Sequence, residues 1–171
     1  CARTLEKKDT DWAAKEQEFK EVVGRALERR PDRQYDCIVP VSGGKDSTFQ
    51  TWYALNTLKL HPLCVNINPL LPTEVGRKNL RNLVERLGVD LLVFTPNQHV
   101  SARLARILFE RYGDPVVHVT YLAFSYIARI AIEKRIPLIL FGENGEKEYG
   151  GSTDKQYTEL DNAGVHARVK S

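Results

Sequence analysis

A short, mostly apolar run at 35–41 stops abruptly at Ser42-Gly43-Gly44-Lys45-Asp46-Ser47, and a stretch with helical spacing follows at 47–60. A strand buried on both faces, a glycine-rich turn and a helix in direct succession restrict the fold more than any other feature of the chain. Pro40 suits the end of such a strand, where the ladder gives way to a loop. The alternation then repeats. Residues 63–67 read as a strand, 73–87 as a helix stopped by Gly88, and 91–95 as another strand. Two helical stretches at 99–112 and 117–135 precede a last strand at 137–141. Ahead of the first strand, Asp9, Thr10 or Asp11 can cap an amphipathic helix over 9–30, which Pro31 ends. The order implies an α/β fold, a doubly wound and mostly parallel sheet with helices on both faces. In such sheets ligands bind beyond the carboxyl ends of the strands. Three polar loops meet that condition: 42–47, 66–74 and 142–151.

A length of 171 residues suits one domain with a sizeable core, and 42% hydrophobic with 27% charged residues is an ordinary globular balance. No apolar run approaches bilayer length, and no secretory pattern opens the sequence, so no membrane is expected. A formal charge of +3 is too small to argue for nucleic acid, and its meaning is local, a few cations where phosphate sits. Three cysteines without regular spacing make no disulfide framework, which points to a reducing cytoplasm. The chain begins at Cys1 and contains no Met, so further sequence is expected beyond its ends. The expected division is a helical segment at 1–34, a nucleotide-binding domain at 35–151 and an incomplete polar tail or lid at 152–171.

The loop carries the chemistry. Gly43 and Gly44 can take backbone angles closed to other residues, so that successive N–H groups converge on one anion. The following helix adds its positive end and unpaired amides. Ser42 and Ser47 offer hydroxyls, and Lys45 a mobile charge. Asp46 is a poor neighbour for bare phosphate, and it makes sense where a divalent cation bridges carboxylate and phosphate oxygens. The spacing is neither that of a Walker A loop nor that of the dinucleotide fingerprint.

Ser42-Gly43-Gly44-Lys45-Asp46-Ser47 resembles the motif of the PP-loop ATP pyrophosphatase superfamily. Members of that superfamily cleave ATP between the α and β phosphates, adenylate a carbonyl oxygen and let a nitrogen or sulfur nucleophile displace AMP. The longer block from Asp36 through Val41 and the loop to Thr48 resembles its N-acetyl sugar amidotransferase branch. So do Asn68-Pro69, Thr73-Glu74-Val75-Gly76-Arg77-Lys78-Asn79-Leu80, Thr95-Pro96-Asn97, Gly113-Asp114-Pro115 and Gly142-Glu143-Asn144-Gly145-Glu146-Lys147-Glu148-Tyr149-Gly150-Gly151. The resemblance implies a cytoplasmic, ATP- and magnesium-dependent ligase of surface-polysaccharide synthesis. Such an enzyme would convert the acetamido group of a nucleotide-activated sugar to an acetamidino group, with ammonia from a separate glutaminase subunit. Family members usually open with a cysteine-rich, zinc-knuckle-like segment. Only Cys1 could belong to it here, so zinc is expected only with a preceding segment.

On this reading Lys45, Asp46 and Glu143 are catalytic, and Asp46 with Glu143 holds magnesium. ATP lies on Ser42, Gly43, Gly44, Lys45, Asp46, Ser47, Asn66 and Gly142, with adenine held, as the resemblance implies, by backbone groups at Asn66 and Asn68, where the simpler reading is a turn before Pro69. Arg77, Lys78, Asn144, Glu146 and Glu148 are candidate contacts for the sugar nucleotide. Simpler readings stand beside these: a helix cap for Thr73, and a solvated acidic turn for Glu143, Glu146 and Glu148. The four histidines show no ligand spacing and read as structural or exposed, while Cys37 and Cys64 read as small core residues. A second copy of the chain remains open as a partner. The alternatives are another PP-loop reaction, tRNA thiolation or nucleobase amidation, and a non-catalytic nucleotide-binding module.

Overall fold

The computed structural model describes residues 10–68 and 71–142. Helix α1, Trp12–Glu28, starts where the Asp11 carboxylate accepts the Ala14 N–H at 3.0 Å. Its solvent face carries the pairs Lys15–Glu18 and Lys20–Glu16, too exposed to matter much to stability. Its inner face buries Val23, with Leu27 packed beside it. The chain after α1 is tied down by Arg33, which donates to the Leu27 and Arg30 carbonyls and pairs with Asp36. Asp36 in turn accepts the His61 N–H at 2.7 Å, so the approach to the first strand is joined to the approach to the second.

Strands β1, Cys37–Pro40, β2, Pro62–Ile67, and β3, Asp90–Phe94, form a parallel sheet in the order β1-β2-β3. Ile38 stands opposite Leu63, and Val65 opposite Leu92. Alternate residues feed two cores, which is why β1 and β2 read as continuous apolar runs. Cys37, Val39, Val41 and Cys64 face Val23, Ala54 and Leu83 on one side. Ile38, Leu63 and Val65 face Ile127, Ile130 and Ala131 on the other. The first side is covered by α1, by α2, Lys45–Asn56, and by α3, Glu74–Leu87. The second is covered by α5, Val117–Glu133, which contacts α4, Gln98–Tyr112. The doubly wound parallel arrangement expected from the alternation is present.

The elements differ from expectation in two places. Helix α2 begins at Lys45, two residues early, because Gly44 already serves as its N-cap. The strand expected at 137–141 shrinks to one parallel bridge between Ile38 and Ile139. Ile38 donates to the Leu138 carbonyl and accepts from the Leu140 N–H, both at 2.9 Å. The next donor in that ladder would be residue 40, and Pro40 has no N–H, so pairing stops. Gly88, the expected stop of α3, does end it, with φ 63° in the left-handed region. The described residues through Leu140 pack as one unit, and Phe141 opens a second. Among the described residues no helix is long and apolar enough to cross a membrane.

Cys37 and Cys64 are fully buried, as their apolar setting suggests. Burial pushes the Cys37 thiol up to about 12 and the Cys64 thiol up to about 11. A thiolate is the reactive form, so both should be inert while the fold persists. Alkylation with iodoacetamide at pH 8 should leave both unmodified in the native protein and modify both in urea. Rapid native modification of either, read by peptide mass, would contradict this packing.

Candidate functional site

The loop after β1 leaves the sheet at its carboxyl edge and leans against the first turns of α3. Gly43 is buried with φ 82°, and a Cβ placed on it would stand 2.7 Å from the Gly76 carbonyl oxygen. The Asn79 side-chain amide donates to the Gly43 carbonyl at 2.9 Å, which fixes the same approach from the other side. Gly44 does not share this conformation. Its φ of −82° and ψ of 167° are ordinary extended values, and its nearest neighbour for a Cβ is the Ser42 hydroxyl at 3.4 Å. Of the two glycines that can take angles closed to other residues, Gly43 does so and Gly44 does not.

The hydroxyls act differently from expectation as well. Ser47 Oγ donates to the Gly44 carbonyl at 3.2 Å and accepts the Ser42 N–H at 3.4 Å. Thr48 Oγ1 donates to the same carbonyl at 2.9 Å. These bonds hold the turn shut over the start of α2. The helix start itself has no side-chain cap, because its N-cap is glycine. Its first amides and the positive end of the helix are thus the groups available to an anion. Lys45 and Asp46 sit at the lip in the first turn, paired at 2.8 Å and 89% and 70% exposed. An ion pair so exposed opens at little cost, leaving ammonium and carboxylate to meet phosphate and cation.

Asn66 is expected to meet adenine through backbone groups, and its side chain is engaged elsewhere. Its side chain is buried, and its amide donates to the Val41 carbonyl at 2.6 Å, tying the ends of β1 and β2 together. That side chain serves the sheet and is not offered to a ligand. Thr73 is the cap of α3, accepting the Gly76 N–H at 3.0 Å, so the simpler reading holds for it. Arg77 and Lys78 are exposed on α3, immediately before the Asn79 that binds the loop. Gly142 is exposed and belongs to the second unit. Glu143, Asn144, Glu146 and Glu148 lie outside the described residues.

Magnesium usually takes one or two carboxylates, with phosphate and water completing its shell. Asp46, exposed at the lip with one oxygen on Lys45, fits that donor set. Zinc fits poorly. Among the described residues no three of His, Cys, Asp and Glu gather, and Cys37 and Cys64 are buried with raised thiols.

Beside the loop runs a groove of about 530 Å³, lined by Gly44, Lys45, Thr48, Phe49, Trp52 and Asn79 among others. That volume is within the range of small-molecule sites. The sequence reading missed Thr48, Phe49, Trp52 and Asn79. A signal was present: α2 sends Thr51 and Ala54 into the core, which leaves Phe49 and Trp52 off the buried stripe. A second depression, about 310 Å³ and lined by Arg29, Arg30 and Arg135, shares no residue with the loop.

The chain matches no protein-family model. An uncharacterized protein of Methanocaldococcus jannaschii is 33% identical over 60 residues, which are 35% of this chain and 22% of that protein. Among solved structures the chain is similar to a tRNA thiolase from Methanococcus maripaludis holding an iron–sulfur cluster. The TM-score is 0.53 at 18% identity, over 75% of this chain and 45% of the thiolase. It is also similar to an ammonia-dependent NAD synthetase from Campylobacter jejuni, with TM-score 0.52 and 16% identity, over 94% of this chain and 73% of that one. A glutamine-dependent NAD synthetase from Acinetobacter baumannii in complex with ADP gives 0.52 at 14% identity, over 75% and 26%. The chain thus spans under a quarter of its curated relative and under half of the thiolase. The likeness is one of fold alone, the adenine nucleotide α-hydrolase-like fold.

The two loop glycines should separate on substitution. Gly43→Ala places a methyl group against the Gly76 carbonyl and keeps a positive φ that costs about 1–2 kcal/mol by itself. Thermal unfolding should fall by at least about 3 °C, since 1 kcal/mol shifts a domain of this size by about 2–4 °C. Gly44→Ala has room and an ordinary backbone, so its loss should stay near or below about 1 kcal/mol. Equal loss of stability in the two variants would contradict the contact with α3.

Proposed function

We propose that this chain is the ATP-pyrophosphatase part of an N-acetyl sugar amidotransferase acting in the cytoplasm. It would adenylate the acetamido oxygen of a nucleotide-activated sugar and replace that oxygen with ammonia from a separate glutaminase subunit. The observation carrying the ATP half of the reading is the uncapped start of α2 beside a turn whose Gly44 carbonyl is taken up by the Ser47 and Thr48 hydroxyls. The sugar half rests on the resemblance of the blocks along 35–151.

The chemistry follows from the leaving group. An amide oxygen leaves poorly, so ammonia cannot displace it directly. Attack of that oxygen on the α phosphorus forms an oxygen–phosphorus bond and expels pyrophosphate. Ammonia then adds to the activated carbon, AMP departs with the oxygen, and loss of a proton from nitrogen leaves the amidine. On this reading the amides at the start of α2 and the Lys45 ammonium bind the β and γ phosphates and stabilise charge as pyrophosphate leaves. Asp46 and Glu143 are assigned to magnesium, which when bound would neutralise charge on the phosphate oxygens. Arg77, Lys78, Asn144, Glu146 and Glu148 are assigned to the sugar nucleotide.

Transfer of sulfur to tRNA is the second reading, favoured by the similarity in fold to the thiolase. Against it stand Cys37 and Cys64, both buried with thiols held protonated. Amidation of a nucleobase shares the same activation step, and a non-catalytic module would release no pyrophosphate at all.

With ATP, ammonium and UDP-N-acetylglucosamine or a related activated N-acetyl sugar, the products should be AMP and pyrophosphate in equal amounts. Nucleotide chromatography that found ADP would move the protein to different chemistry. Glutamine should not replace ammonium for the isolated chain.

Asp46→Asn and Glu143→Gln should each reduce turnover by at least about tenfold, the cost of disturbing even the outer shell of a metal site. Melting temperatures should hardly change, since Asp46 is exposed. If both carboxylates hold one ion, the double variant should be little worse than the more damaging single one. Fully multiplied losses would count against a shared ion.

A further inference from the structure

The groove beside the loop has an aromatic half that phosphate binding does not require. Phe49 and Trp52 are stacked, with ring centroids 6.1 Å apart and planes 26° from parallel, yet they are 61% and 45% exposed. Packing of the fold does not call for them, because α2 reaches the core through Thr51 and Ala54. Lys45, Phe49 and Trp52 fall at i, i+4 and i+7, on one face of α2. At 1.5 Å per residue, Trp52 lies about 10 Å along the helix from the loop. A ligand of nucleotide size can therefore span from the loop to the rings.

We propose that this groove is a nucleobase-stacking subsite for the second substrate, a small nucleotide whose activated sugar is presented to the loop. The proposal rests on the ATP-pyrophosphatase reading above and names where its acceptor is held. The flat faces of Phe49 and Trp52 suit a planar base, which stacks without regard to its edge pattern. A small nucleotide fits better than an RNA. The groove is of small-molecule size, and among the described residues Lys45 is the one cation lining it, whereas a polynucleotide backbone calls for several.

The test uses the full chain carrying Trp12→Phe, which leaves Trp52 as the sole indole. Titration with UDP-N-acetylglucosamine should quench its emission, while magnesium-ATP binding is followed separately by calorimetry. In the otherwise unaltered chain, Trp52→Ala should weaken binding of that sugar nucleotide, also read by calorimetry, by about fivefold or more, the usual worth of one stacked base. Trp52→Phe should recover most of it, and ATP affinity should stay within twofold in both variants. Unchanged affinity for the sugar nucleotide in Trp52→Ala would overturn the proposal. So would an equal loss of ATP affinity, which would make the rings the platform for adenine. Equal quenching by N-acetylglucosamine alone would replace the base with the sugar, and tighter binding of a tRNA stem-loop would replace the nucleotide with RNA. If the unaltered chain bound no ATP, the parent reading would fail first. If ATP bound and the sugar nucleotide caused no quenching, only the subsite would be lost.

Discussion

Strand β1 is the element on which the other parts depend, because it is bonded on both edges and buried on both faces. Val39 and Val41 point their backbone groups toward β2, and Ile38 points its own toward Leu138 and Leu140. Cys37 and Val39 close one core while Ile38 enters the other. A strand held in four directions has a fixed end, and the loop at 42–47 starts from that end. The parallel direction of β1, β2 and the 138–140 segment brings their carboxyl ends to one edge of the sheet. A phosphate site can form there from backbone groups alone, without a dedicated set of side chains.

At that edge the polar side chains divide into those that build the loop and those that stand exposed at its lip. Ser47, Thr48 and Asn79 spend their hydrogen bonds on the Gly43 and Gly44 carbonyls, and Asn66 spends its own on Val41. These bonds pre-organise the turn, so that less ordering entropy is lost when an anion arrives. Lys45 and Asp46 remain exposed at the lip. Residues of one short motif thus serve two purposes, and residue type alone does not separate them.

Helix α2 joins this loop to the aromatic groove. Its first turn faces the loop, its inner face carries Thr51 and Ala54, and its outer face carries Phe49 and Trp52. Thr51 shows how tightly the inner face is used, since its hydroxyl returns to the Ser47 carbonyl and touches Cys64 Sγ at 3.8 Å. Anything bound along the outer face therefore lies on a rigid element continuous with the loop at 42–47.

The sequence by itself determined the alternation of strands and helices, the parallel sheet and the place of the glycine-rich loop. Those follow from local periodicity, the cap at Thr73 and the stop at Gly88. The blocks beyond the loop also carried the resemblance to one branch of the superfamily. Only the tertiary structure decided which glycine is indispensable, because that depends on Gly76 standing 2.7 Å from an added Cβ at Gly43. It also showed that the Asn66 side chain ties β2 to Val41, and it cut the last strand to one bridge between Ile38 and Ile139. The reason is common to these cases. Local signals act over a few residues, whereas close approaches, burial and ladder partners are set by segments distant in the chain.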